Sequence, residues 1–144
     1  MELELKLGVP AKYFFNRLIE SVLYDVETQT GKRPQPQHLA GFTYRKKLGN
    51  GAVGRLEVTE YRQDHAYAYR LRTGRNQYRV SYQLDDADAG TAVLHYTEDV
   101  SGSSQRIDAN NRLMMTCLGW LRKRRFKKMA KQIESSYEEQ ARVN

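Results

Sequence analysis

An α+β fold, with one curved antiparallel sheet of about six strands wrapped around a long C-terminal helix, is what this sequence predicts. Three observations predict it. Apolar and polar residues alternate at the N-terminus and again from Gly41 to Val100, the period of strands with one buried face. Between these, apolar residues recur at spacings of three and four, as on an amphipathic helix. The chain then closes on a second stretch of helical spacing. The predicted order is β-α-β-β-β-β-β-α.

Met1, Leu3, Leu5 and Leu7 alternate with Glu2, Glu4 and Lys6, and Gly8 ends this first strand. Pro10 suits the first turn of a helix, where its missing N–H costs nothing. Phe14, Phe15, Leu18, Ile19, Val22, Leu23 and Val26 form the apolar stripe, with Arg17, Glu20 and Asp25 at its edges or outside. Gly31 is a good C-terminal stop, and Pro34 and Pro36 keep Lys32 to His38 an extended loop. Phe42, Tyr44 and Lys46 begin the run of strands, broken by the turn Gly49–Asn50–Gly51. Val53 to Tyr61 follows, with Leu56 and Val58 sharing a face. His65 to Arg72 comes next and presents Tyr67, Tyr69 and Leu71 on one side. A hairpin turn at Thr73–Gly74–Arg75–Asn76 leads to Tyr78, Val80, Tyr82 and Leu84 on one face. Asp85 to Gly90 is a polar turn, and Thr91 to Val100 is the last strand. The closing helix starts near Asp108, a plausible N-cap, and runs towards Arg142. Leu3, Leu5, Phe14, Leu18, Val22, Val80, Leu94, Leu118, Leu121 and Met129 are expected in the core.

A chain of 144 residues with 40% hydrophobic and 28% charged residues suits one soluble domain over residues 1–144, with no disordered tract. Cys117 alone excludes an internal disulfide framework, and His38, His65 and His95 offer no metal-ligand spacing. No metal and no cofactor is expected. The longest mostly apolar run, Leu113 to Leu121, is far short of the ~20 residues of a membrane span, and no signal sequence appears. A cytoplasmic location is the default expectation. The net charge of +7 is uneven: residues 1–100 carry 14 basic and 13 acidic side chains, whereas residues 101–144 carry 10 and 4. Seven of those ten lie between Arg122 and Lys131.

Several segments carry a resemblance to known proteins: Tyr13–Phe14–Phe15 opening the first helix, Thr30–Gly31–Lys32 closing it, Leu39 to Tyr44, and His95 to Glu98. With the order of elements, they make the chain similar to the START-like (SRPBCC) helix-grip superfamily. That superfamily includes birch-pollen-allergen-like proteins and polyketide cyclases. More narrowly, the chain resembles a bacterial domain-of-unknown-function branch of it. The resemblance implies a cavity between the sheet and the final helix, which in many relatives holds a lipid or other apolar molecule.

The residues supply a lining for such a cavity. Tyr44, Tyr67, Tyr69, Tyr78, Tyr82 and Tyr96 fall on the strand faces that carry Leu and Val, each with an apolar ring and a hydroxyl that needs a partner when buried. The same rings also fill cores as ordinary strand formers. Glu98 continues the face of Leu94 and Tyr96 and places a carboxylate at the rim, unless it is simply a solvated strand end. On the closing helix, at about 100° per residue from Leu118, Lys123, Arg124, Lys127 and Lys131 project at roughly 140° to 240°, away from the apolar side. They form a basic surface. Arg122 and Arg125 fall within the apolar sector, where they either snorkel to water or meet an anion.

No catalytic constellation is visible. There is no nucleophile elbow and no phosphate loop, and Cys117 sits among apolar residues. A non-catalytic binding module for a small apolar or amphipathic molecule, acidic ones included, is the expected function. The alternative is binding of nucleic acid or another acidic partner through the basic face of the closing helix. The RNA-recognition signature is absent, so nucleic acid is the less expected partner. A monomer or weak homodimer is expected.

Overall fold

The computed structural model describes residues 2–49, 51–88, 90–102 and 127–142. The elements are β1 (Glu2–Leu7), α1 (Ala11–Thr30), β2 (Thr43–Lys47), β3 (Val53–Arg62), β4 (Ala66–Arg72), β5 (Asn76–Asp86) and β6 (Ala92–Gly102). A closing helix, α2, is described over residues 127–142. The six strands form one antiparallel sheet in the order β1-β6-β5-β4-β3-β2. Chain neighbours from β2 to β6 are hairpin partners, and β1 closes the far side against β6. The fold class is the one the sequence predicts.

Helix α1 lies on one face of the sheet, called the inner face below. Its stripe supplies Phe14 and Val26, both 0% exposed, and Phe15, Leu18, Ile19 and Leu23. Burying a side chain the size of Phe or Leu stabilises by about 1.5–3 kcal/mol. Pro10 is the N-cap, and Gly31 ends the helix at φ 79°, donating its N–H to the Glu27 carbonyl at 2.8 Å. A left-handed residue here favours glycine. Helix α2 packs on this layer through Met129, Ala130, Ile133 and Tyr137. The rings of Tyr13 and Tyr137 meet edge to face at 4.9 Å, and the Glu134 carboxylate accepts the Gly8 N–H at 2.8 Å.

Four expectations about the core change, and one about the loop. Leu3 and Leu5 are half-buried because β1 is an edge strand. Val22 is half-buried because it lines a cavity, and Met129 because it walls a cleft against α1. Leu118 and Leu121 lie outside the described residues. The loop after α1 is not wholly extended. Pro36–His38 makes a 3-10 turn that delivers Leu39, 0% exposed, into the core.

Strand β3 also carries a bulge between Val58 and Glu60. The extra residue keeps Tyr61 on the inner face, 5.6 Å from the Phe15 ring, where strict alternation would have placed Glu60.

Candidate functional site

Strand register arranges the inner-face side chains in rows. One row joins Tyr61, Tyr67, Tyr82, Tyr96 and Leu3 across β3, β4, β5, β6 and β1. The next joins Val58, Tyr69, Val80 and Glu98. A third joins Tyr44, Leu56, Leu71, Tyr78 and Val100. Cross-strand aromatic pairs of this kind stabilise the sheet beyond the area they bury. The ring of Tyr67 lies 5.9 Å from Tyr69 and 6.1 Å from Tyr82, and Tyr82 meets Tyr96 edge to face at 5.0 Å. Four tyrosines therefore touch in a chain over three strands.

Where this chain of rings meets α1 there is a partly open pocket of about 140 Å³, called the cavity below. Tyr44, Tyr67, Tyr69 and Tyr82 line it from the sheet with Leu56 and Lys46, and Leu18, Ser21, Val22 and Asp25 from the helix. The structure thus brings four of the six candidate tyrosines to one space. Tyr96 stands behind Tyr82 and donates its hydroxyl to Glu98 Oε2 at 2.9 Å. Glu98 is half-buried on the inner face. Tyr78 sits in the third row, away from the cavity. Among the described residues the helical wall is α1. Arg122 and Arg125 lie outside the described residues, as do Lys123, Arg124 and Cys117. Lys127 and Lys131 are exposed on α2.

The polar side of the cavity is a cluster that sequence patterning places at the margin. Asp25 Oδ2 accepts the Tyr44 hydroxyl at 2.6 Å and pairs with Lys46 Nζ at 3.0 Å. Both charged side chains are about one-third exposed or less, at 27% for Asp25 and 32% for Lys46. Asp25 follows Leu18 by seven residues and Val22 by three, so helical spacing sets it at the edge of the apolar stripe. That was the available signal. Lys46 shares the parity of Tyr44 on β2, which turns its side chain to the same face.

Burial raises the hydroxyl pKa of Tyr44, Tyr67, Tyr82 and Tyr96 well above the ordinary tyrosine value. The bond to Asp25 adds to this for Tyr44, and the neighbouring Tyr82 and Glu98 add to it for Tyr96. These hydroxyls are neutral donors at physiological pH. The arrangement can grip a flat apolar body between rings and orient it by hydroxyls and one carboxylate–ammonium pair.

A larger, open cleft of about 450 Å³ runs between α1 and α2, walled by Phe14, Leu18, Met129 and Ile133 with Arg17 and Arg33 at its mouth. Arg33 is tied across that mouth to Glu20 at 2.6 Å and Glu27 at 3.3 Å. Among the described residues, no group of three His, Cys, Asp or Glu side chains is placed to hold a metal ion. No helix among them is long and apolar enough to cross a membrane.

Residues 1–119 match the family model described as domain of unknown function (DUF3284), and the chain belongs to that family. No curated protein matches the sequence. Among solved structures, a conserved protein from Geobacillus kaustophilus is similar at TM-score 0.60 and 15% identity, over 94% of this chain and 95% of that one. A protein of unknown function from Staphylococcus aureus is equally similar, at 0.60 and 15%, over 96% of each chain. An HSP90 activator from Plasmodium falciparum is similar at 0.53 and 17%, over 83% of this chain and 86% of that one. At these identities the likeness is one of fold.

Proposed function

We propose that this member of the family is a non-catalytic binding module, and that its ligand is a small aromatic molecule with one polar or acidic group. One observation carries the reading: Tyr44, Tyr67, Tyr69 and Tyr82 meet Asp25 and Lys46 around a single cavity. A closed apolar cavity of ~150 Å³ holds a benzene ring, and this pocket has about the same volume but is partly open, with Ser21, Asp25 and Lys46 in its lining. The 140 Å³ here suits one ring with a short substituent better than a long acyl chain. We assign the chain to the START-like superfamily on the same grounds, namely the order of elements and the helix-backed sheet with an inner cavity. Arg122 and Arg125 are the proposed counter-charges for an acidic head group. The fold likeness to an HSP90 activator adds no partner. A second reading, an acidic partner on the closing helix, is supported by the exposure of Lys127 and Lys131.

Calorimetric titration with benzoate-type acids, their neutral amides and a medium-chain fatty acid tests the proposal. Aromatic acids should bind and the fatty acid should not. Tyr67→Phe, which removes one hydroxyl, should weaken binding by roughly fivefold. Arg122→Met and Arg125→Met should abolish the preference for acids over amides. No binding of any aromatic probe by the wild type overturns the proposal. Equal affinity for acids and amides removes the arginine role alone.

A further inference from the structure

The outer face of the sheet concentrates charge in a way the sequence average conceals. Residues 43–56 hold four basic side chains and no acidic one, and residues 66–84 hold another four and none. These two runs are far apart in the chain, but the topology brings them together at the end of the sheet formed by the β2–β3 and β4–β5 turns. Lys46 turns to the inner face and is committed to Asp25, and Arg70 is committed to Glu57, at 3.0 Å each. Six cations remain there: Arg45, Lys47, Arg55, Arg72, Arg75 and Arg79. Among the described residues no ion pair engages any of them. The nearest carboxylate in register is Asp99, opposite Arg79.

Three of the six form a line. Arg45 pairs with Arg55 and Arg55 with Arg72, so three exposed guanidinium groups stand side by side on adjacent strands. Strands lie about 4.8 Å apart, which makes the line roughly 10 Å long. Like charges directly opposite one another destabilise a sheet, so this row works against folding. The row below shows the usual remedy, Glu57 beside Arg70.

We propose that this row binds the phosphate backbone of a nucleic-acid duplex, without reading its sequence. Guanidinium groups match phosphate oxygens bidentately, and a line of them suits a linear polyanion. An acidic protein partner fits less well. A stable protein interface needs a desolvated apolar centre, and the large apolar side chain exposed at this end is Val53, 58% exposed. Base recognition by stacking is also absent from the proposal, because every aromatic residue of β4 and β5 has the inner-face parity. The proposal concerns the outer face and stands apart from the cavity reading.

Fluorescence anisotropy with a labelled random duplex of about 20 base pairs, between 50 and 200 mM salt, tests it. The wild type should bind, and its affinity should fall steeply with salt. The triple variant Arg45→Gln/Arg55→Gln/Arg72→Gln should lose about tenfold or more in affinity, and its log-log salt slope should flatten by roughly 2 to 3. Its melting temperature should equal or exceed that of the wild type, which excludes unfolding as the cause. Lys12→Gln/Lys32→Gln, an equal loss of charge at exposed lysines on α1 and just after it, should bind as the wild type does. Three results overturn the proposal: no duplex binding by the wild type, undiminished binding by the triple variant, or binding to phosphatidylserine vesicles but not to duplex.

Discussion

The two faces of the sheet are built from the same strands and differ in almost everything else. Along β5 the inner residues are Tyr78, Val80, Tyr82 and Leu84, and the outer ones are Gln77, Arg79, Ser81 and Gln83. The inner face holds its charges in closed groups: Asp25 with Tyr44 and Lys46, and Glu98 with Tyr96. The outer face leaves cations open to water and even opposes them, as in Arg45, Arg55 and Arg72. Burial explains the contrast. An unpartnered polar group costs little in water and much away from it. Parity therefore sets both a residue's surroundings and how complete its partnership must be.

The sharpest way to break the contrast is to put an outer-face residue on the inner face. Leu94, 0% exposed, is followed by His95, exposed on the opposite side of β6. Leu94→Arg should cost more than about 4 kcal/mol in urea denaturation, through an unpaired buried charge, while His95→Arg should stay within about 0.5 kcal/mol. Equal costs would show that parity does not govern the two faces.

The closed group around Asp25 comes next. Asp25→Ala strands the Tyr44 hydroxyl and the Lys46 ammonium, and at this partial exposure the loss should be about 1–2 kcal/mol. A double-mutant cycle with Tyr44→Phe should show that the two residues are coupled.

Alkaline pH probes the inner tyrosines. Burial raises their hydroxyl pKa above the ordinary tyrosine value of about 10, so the unfolded chain loses these protons before the folded one does. Their contribution to stability is fully present below pH 10 and is lost as pH rises beyond it. For Tyr67, 2% exposed, the loss should approach about 1 kcal/mol per pH unit. Tyrosinate absorbance from Tyr67 and Tyr82 should rise only on unfolding.

The smallest effect belongs to the outer row. Arg55→Gln relieves two like-charge contacts and should stabilise by a few tenths of a kcal/mol at low salt, an effect that fades as salt is added.

How much of this was legible in the sequence depends on the range of the cause. Period-two alternation located every strand within a residue or two, and the stripe from Phe14 to Val26 located α1, because both signals are local. The six tyrosines were identifiable by parity. That four of them share a cavity and Tyr78 does not depends on which strands neighbour α1, which no local window contains. Asp25 stands at the edge of the stripe, 27% exposed, but its pairing with Tyr44 and Lys46 depends on β2 lying beside α1, which no local window contains. The bulge before Tyr61 left no local mark. The arginine row was hidden most completely, since residues 1–100 carry almost balanced charge and only the register separates it in space.

One contact bears on the order in which the parts assemble. Helix α1 begins at Pro10 without a side-chain cap of its own, and its first free amide, the N–H of Ala11, is accepted by Asp86 Oδ1 at 3.0 Å from 75 residues away. Nucleating a helix is the unfavourable step, and a cap normally assists it locally. Here the assistance arrives only once the β5–β6 hairpin has placed Asp86. A peptide of residues 9–32 should therefore be weakly helical alone. In refolding followed by pulsed amide exchange, protection of the first turn of α1 should appear no earlier than that of β5, and Asp86→Ala should delay it further. The earliest helix in the sequence would then be completed late, waiting on a hairpin made from the chain's second half.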